Sequence, residues 1–108
     1  MNHETAITLY RSIGTTRHVE LRRDLESAAV AYANRRAQWA LTPAEDRREM
    51  DAARTAEHNV LIGSCDALAR SMAHSGEDPS WRTDLGSDRR AIGDFACYLH
   101  ALIALSAR

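Results

Sequence analysis

Leu21, Leu25, Ala28, Tyr32 and Trp39 recur at spacings of three, four and seven residues, which puts them on one stripe of a helix. Thr15 or Thr16 can cap that helix, and the pattern carries it to about Ala40. Just beyond, Thr42-Pro43-Ala44-Glu45 has the form of a helix start. Thr42 is a capping residue, Pro43 suits a first turn where its missing N–H is not needed, and Glu45 can reach back to the cap. The pattern predicts a helix from here to about His74, stopped by Gly76 and Pro79 and about 48 Å long at the standard rise. Its apolar stripe is Met50, Ala53, Leu61, Ser64, Leu68 and Met72, and Gly63 marks the place for a bend or a close helix contact. A connection as short as Leu41-Thr42 predicts an antiparallel hairpin.

The first dozen residues allow two readings. Ala6, Leu9 or Tyr10, and Ile13 fit a short helix ended by Gly14, whereas Ile7-Thr8-Leu9-Tyr10 would also fit a strand. No other segment offers a strand to pair with, so a helix is expected. Residues 75–87 read as a loop, with Trp81 folding back as its hydrophobic anchor and Ser87 or Asp88 capping a last helix from about Asp88 to Ala107. The main stripe of that last helix is Ile92, Phe95, Ala96, Leu99, Leu102 and Ile103, while Gly93, Cys97, Ala101 and Ala104 form a second, small-residue face. A helix apolar on both sides calls for cover on both sides. A symmetric homodimer completing a larger bundle would supply it; so would an N-terminal segment folded back over the small residues. The expectation is one all-α domain over residues 1–108, an antiparallel helical bundle of three long helices plus a short N-terminal helix, assembled as a dimer.

Composition narrows the function classes. Hydrophobic residues make up 44% and charged residues 27% of the 108, a balance that builds one packed core and not a disordered chain. The net charge of -1 gives no global pull toward nucleic acid or anionic membrane. All 14 basic residues are arginine. That is the default of GC-rich coding, and it points to anion binding only where guanidiniums converge. Four arginine doublets, at 22–23, 35–36, 47–48 and 89–90, are mostly interleaved with acids and form no continuous basic face, so nucleic-acid binding is not expected. Cys65 and Cys97 sit in helical patterns and read as reduced, packed thiols. Met1-Asn2-His3-Glu4 has no signal-peptide character, and the longest apolar run, Ala101 to Leu105, is far too short to span a bilayer. A cytoplasmic protein without membrane contact is expected.

Projecting the third helix at 100° per residue places Arg54, Glu57 and His58 on or beside its apolar stripe. Charged groups seldom lie there unless paired. Arg54 can reach Glu57 at i+3 and His58 at i+4, and Arg36 of the preceding helix can face them across the hairpin. Two readings compete: a paired network that fixes helix register or the dimer, or a polar pocket that binds an anionic small molecule through Arg36, Arg54, Glu57 and His58. Cys97 and His100 have a spacing that could chelate a metal, but His58 and Cys65 are about 10.5 Å apart in rise, and no Glu-x-x-His pair is present. The acids Glu77, Asp78, Asp84 and Asp88 lack calcium-loop spacing, and no nucleophile or phosphate-loop motif occurs. No metal or cofactor is expected. The leading expectation is a non-catalytic homodimeric protein-interaction or regulatory module, with an anion-binding protein or enzyme as the alternative.

Overall fold

The computed structural model describes residues 1–107. Among them are five α-helices and one 3-10 helix packed against each other, and no strand. Helix α1 spans His3–Gly14. Asn2 caps it by accepting the Thr5 N–H at 2.9 Å, and Ala6, Leu9 and Ile13 are buried on one side. The helical reading of this segment therefore holds over the strand.

Helix α2, Val19–Leu41, starts later than a Thr15 or Thr16 cap would place it. The buried Thr16 instead accepts the His18 N–H at 3.1 Å, and the Arg17 N–H goes to the Glu77 carboxylate at 3.2 Å. A distant side chain thus satisfies a donor that a local cap was expected to serve. Desolvation opposes ionisation of Glu77, but hydrogen bonds from Thr16, Arg17 and Ser75 and the nearby His18 outweigh it and hold the carboxyl below its ordinary range.

The predicted start of the third helix is corrected. Thr42 turns its hydroxyl back onto the Gln38 carbonyl at 2.7 Å and ends α2 instead of capping a new helix. Residues Ala44–Met50 form the 3-10 helix, and α3 runs from Asp51 to His74, about 36 Å. The physical cause is visible in Arg47, whose Nε donates to the Trp39 and Thr42 carbonyls at 3.0 Å and whose Nη2 donates to Ala40 at 3.2 Å. These carbonyls lie at the C-terminal end of α2, where onward helical partners run out, and a cation there also complements the helix dipole. The connection is therefore residues 42–50, longer than Leu41-Thr42. Helix α3 still returns along α2: Trp39 meets Arg54, Arg35 meets Glu57, and His18 meets Ser75. Gly63 is exposed with open space where a Cβ would sit, so neither a bend nor a close contact is built on it.

Gly76, at φ 82°, ends α3 as expected: Glu77 N–H bonds the Met72 carbonyl at 2.8 Å and Gly76 N–H that of Ala73 at 3.3 Å. The segment read as a loop contains a further helix, α4, Ser80–Leu85. Trp81 anchors it, fully buried, with Nε1 against the Met72 sulfur at 3.2 Å, and Arg82 holds Asp66 at 2.7 Å. These contacts lay α4 back along α3, so the chain climbs several turns before the next helix begins.

Helix α5, Arg89–Ser106, is capped by Asp88, which accepts the Arg90 N–H at 3.0 Å. Ile92, Phe95, Ala96 and Leu99 enter the core with Leu25, Ala29, Leu61, Cys65 and Leu68. Gly93 lies under Tyr32 while Ile103 shares a groove with Arg22 and Glu26, so α5 runs opposite to α2. The small-residue face is covered only in part. Gly93 is buried and Cys97 half-buried, but Ala101 and Ala104 are exposed. The N-terminus folds over part of that side: Met1 and His3 contact Asp94 and Tyr98 and border a hollow shared with Cys97 and Ala101. Among the described residues, no helix is long and apolar enough to cross a membrane.

Both cysteines are free thiols, but burial in the core pushes Cys65 up to about 12, whereas Cys97 is half-buried. Ellman's reagent at mildly alkaline pH is expected to titrate a single thiol in the native protein, mapped to Cys97, and both in urea. Rapid native labelling of Cys65 would contradict its place in the packed core.

Candidate functional site

A cavity of about 330 Å³ opens where α2, α3 and the first turn of α5 meet. Helix α2 supplies Tyr32, Arg36 and Trp39, at i, i+4 and i+7 and so on one face. Helix α3 supplies Arg54, Thr55 and His58, and α5 supplies Arg89 and Arg90. Three of the four residues singled out from the sequence, Arg36, Arg54 and His58, thus line one cavity. Glu57 does not. Its Oε1 takes both Nη2 and Nε of Arg35, at 2.9 and 3.1 Å, across the α2–α3 contact, while its Oε2 is buried without a partner.

The expected network of Arg54 with Glu57 and His58 is also not what forms. Arg54 lies over the Trp39 ring, its guanidinium carbon 4.4 Å from the centroid, and Arg47 lies over the same ring at 4.3 Å. Stacking fixes the guanidinium plane without consuming its N–H donors. Among the described residues, no carboxylate lies within ion-pair distance of Arg54, Arg89 or Arg90; the Arg89 contact is Asn59, at 3.3 Å. Arg36 is different. Its Nη1 donates to Asp94 at 2.9 Å; burial works against its charge, but that hydrogen bond together with the field of Cys97, Asp94 and Tyr32 outweighs burial and raises its pKa. The cavity therefore carries four guanidiniums against one neighbouring carboxylate.

His58 is 4% exposed and edge-on to Tyr32, with ring centroids 5.1 Å apart. Its Nε2 lies 2.9 Å from the Arg89 carbonyl oxygen. A carbonyl only accepts, so Nε2 carries the proton. Nδ1 is buried with no hydrogen-bond partner, and so is Nε1 of Trp39. Two polar atoms belonging to cavity-lining residues are left unmatched.

The sequence reading missed Trp39 and Tyr32 as site residues because their stripe reads equally well as core. It also noted Arg89 and Arg90 only as a doublet; their place beside His58 depends on the return path through α4. Cys97 lies 3.9 Å from Arg36 Nη1, and among the described residues no three His, Cys, Asp or Glu side chains gather as a metal-binding group. Comparison with protein-family models, with curated proteins and with solved structures gives no match.

Tyr32 and Arg36 hold their positions because residue 93 has no side chain. A Cβ there would meet Tyr32 Oη at 3.0 Å, Tyr32 Cε1 at 3.1 Å and Arg36 Nη1 at 3.3 Å. Paired substitutions separate this packing from helix propensity. Gly63→Ala, in open space, is expected to stabilise by about 1 kcal/mol through propensity alone. Gly93→Ala gains the same propensity but overpacks, and should fall about 1–3 kcal/mol short of it in urea denaturation. Equal effects would show that the contact tolerates a methyl group.

Proposed function

We propose that this protein binds a small polyanion in the arginine-lined cavity between α2, α3 and the start of α5. The observation that carries the reading is convergence: Arg36, Arg54, Arg89 and Arg90 come from three helices to one cavity, and among the described residues only Arg36 of these meets a carboxylate. Gathering like charges opposes folding unless a counter-charge arrives, and guanidinium forks match the paired oxygens of carboxylates and phosphates. A volume of about 330 Å³ is at the small end of ligand pockets and suits a metabolite-sized molecule. Binding is favoured over turnover because no carboxylate or thiol is among the lining residues.

Thermal unfolding in citrate or inorganic phosphate, against chloride at matched ionic strength, tests this reading. At ~100 times the dissociation constant the multivalent anion should stabilise by about 2.7 kcal/mol. Arg54→Gln and Arg90→Gln should each weaken binding roughly tenfold, the scale of a lost charged hydrogen bond. A melting temperature no higher in either anion than in chloride removes the proposal.

A second reading, self-association with another copy of this chain, is favoured by the uncovered end of α5. Ala101, Ala104 and Leu105 continue the side begun by Cys97, and Leu105 is 59% exposed. A homodimer would bury this face against its symmetry mate and would support an interaction role. We propose a cytoplasmic location, a reading that the two free thiols support. Light scattering after size exclusion is expected to give twice the chain mass of 12.0 kDa, reverting to the single-chain mass in Ala101→Arg. A 12.0 kDa species at every concentration rules the dimer out.

A further inference from the structure

We infer that the ligand of this cavity carries three closely spaced negative charges and presents no apolar group to it, the class of a condensed phosphate or an aliphatic tricarboxylate. This rests on the polyanion reading of the same cavity and narrows it in charge and in shape.

The charge follows from what the fold leaves unmatched. Arg36 already has Asp94, at 2.9 Å, and needs no counter-charge from a ligand. Among the described residues, Arg54, Arg89 and Arg90 have no carboxylate within ion-pair distance. Their donors can be reached: Arg89 and Arg90 are exposed, and on the half-buried Arg54 no nitrogen is both buried and without a partner. A dianion would leave one of these guanidiniums uncompensated beside the others, whereas a trianion matches all of them. A volume of about 330 Å³ requires those charges to sit on one compact skeleton.

The shape follows from the walls. Among the described residues, no Leu, Ile, Val, Met or Phe lines the cavity, so an acyl chain would find no aliphatic surface to cover. Its two large aromatic rings are Trp39 and Tyr32. Trp39 already carries the guanidiniums of Arg47 and Arg54, at 4.3 and 4.4 Å from the ring centroid. Tyr32 is 7% exposed, with His58 edge-on to it and Gly93 against it. Neither offers an open face on which a nucleobase could stack.

Titration calorimetry on the full chain, in metal-free buffer at mildly alkaline pH and fixed ionic strength, tests this with two pairs. Inorganic phosphate is compared with diphosphate, and succinate with tricarballylate, each a dianion beside a trianion. In at least one pair the trianion should bind about tenfold tighter or more, the scale of one further charged hydrogen bond. The pair that shows the step distinguishes a phosphate ligand from a carboxylate. Adding a ring at about the same charge should gain nothing: ADP should bind no tighter than diphosphate, and benzenetricarboxylate no tighter than tricarballylate. Arg90→Gln, at an exposed position, should bring dianion and trianion to within about threefold of each other, and Arg54→Gln should do the same. Arg23→Gln, exposed and about 20 Å along α2 from Arg36, should leave the step unchanged.

Equal affinities within both pairs overturn the inference and leave the polyanion reading standing. A step that Arg23→Gln reduces as much as Arg90→Gln does reports overall charge and also overturns it, as does tighter binding of either ring-bearing probe. Failure of every anion to bind takes both readings down together.

Discussion

Tyr32 and Arg36 occupy the space beside residue 93 that any side chain would need, and glycine there lets α2 and α5 close on each other. From that contact Tyr32 reaches the edge of His58 on α3, and His58 in turn holds the Arg89 carbonyl at the start of α5. Three helices are thereby fixed at one level of the bundle. The long side chains that flank this level cannot enter the core, which Phe95, Leu61 and Leu25 fill, so they ring the gap above it. The cavity is a consequence of that arrangement, and so is its charge.

The arginines divide by what they touch. Arg47 closes the carbonyl end of α2, Arg82 ties α4 to α3 through Asp66, and Arg35 joins α2 to α3 through Glu57. Arg35 and Arg82 bridge different helices, although exposed or half-exposed ion pairs contribute only about 0–1 kcal/mol apiece. Their value is in geometry more than in energy: the bulk of the stability comes from burying apolar side chains. Arg54, Arg89 and Arg90 do none of this bridging with acids. An all-arginine set of cations, uninformative as composition, acquires meaning from the contrast between these two groups.

Much of the architecture was legible along the chain. The stripe in α2, the short N-terminal helix ended by Gly14, the stop at Gly76, the Asp88 cap and the anchoring role of Trp81 all follow from spacing and local chemistry. The errors cluster at junctions. Thr42 had the right residue type for an N-cap, but its hydroxyl found the Gln38 carbonyl first, and Arg47 folded the following segment onto α2. Ser80–Leu85 is too short for periodicity to reveal, and Trp81 stabilises it by burial instead of by pattern. In the candidate site, Arg36, Arg54 and His58 were readable as polar groups lying on apolar faces, while Glu57 was misplaced because its partner, Arg35, lies across the helix pair.

Taken alone, the sequence determined that the chain is helical, roughly where its helices lie, and which polar residues sit inward. Those properties are set by neighbours within about four positions, the reach of helical periodicity. Only the tertiary structure decided which guanidiniums share a space and which atoms are left unmatched. That depends on how far α4 carries the chain back along α3 before α5 begins, and on the missing side chain at Gly93. Both are relations between segments dozens of residues apart, and no local rule of spacing encodes them.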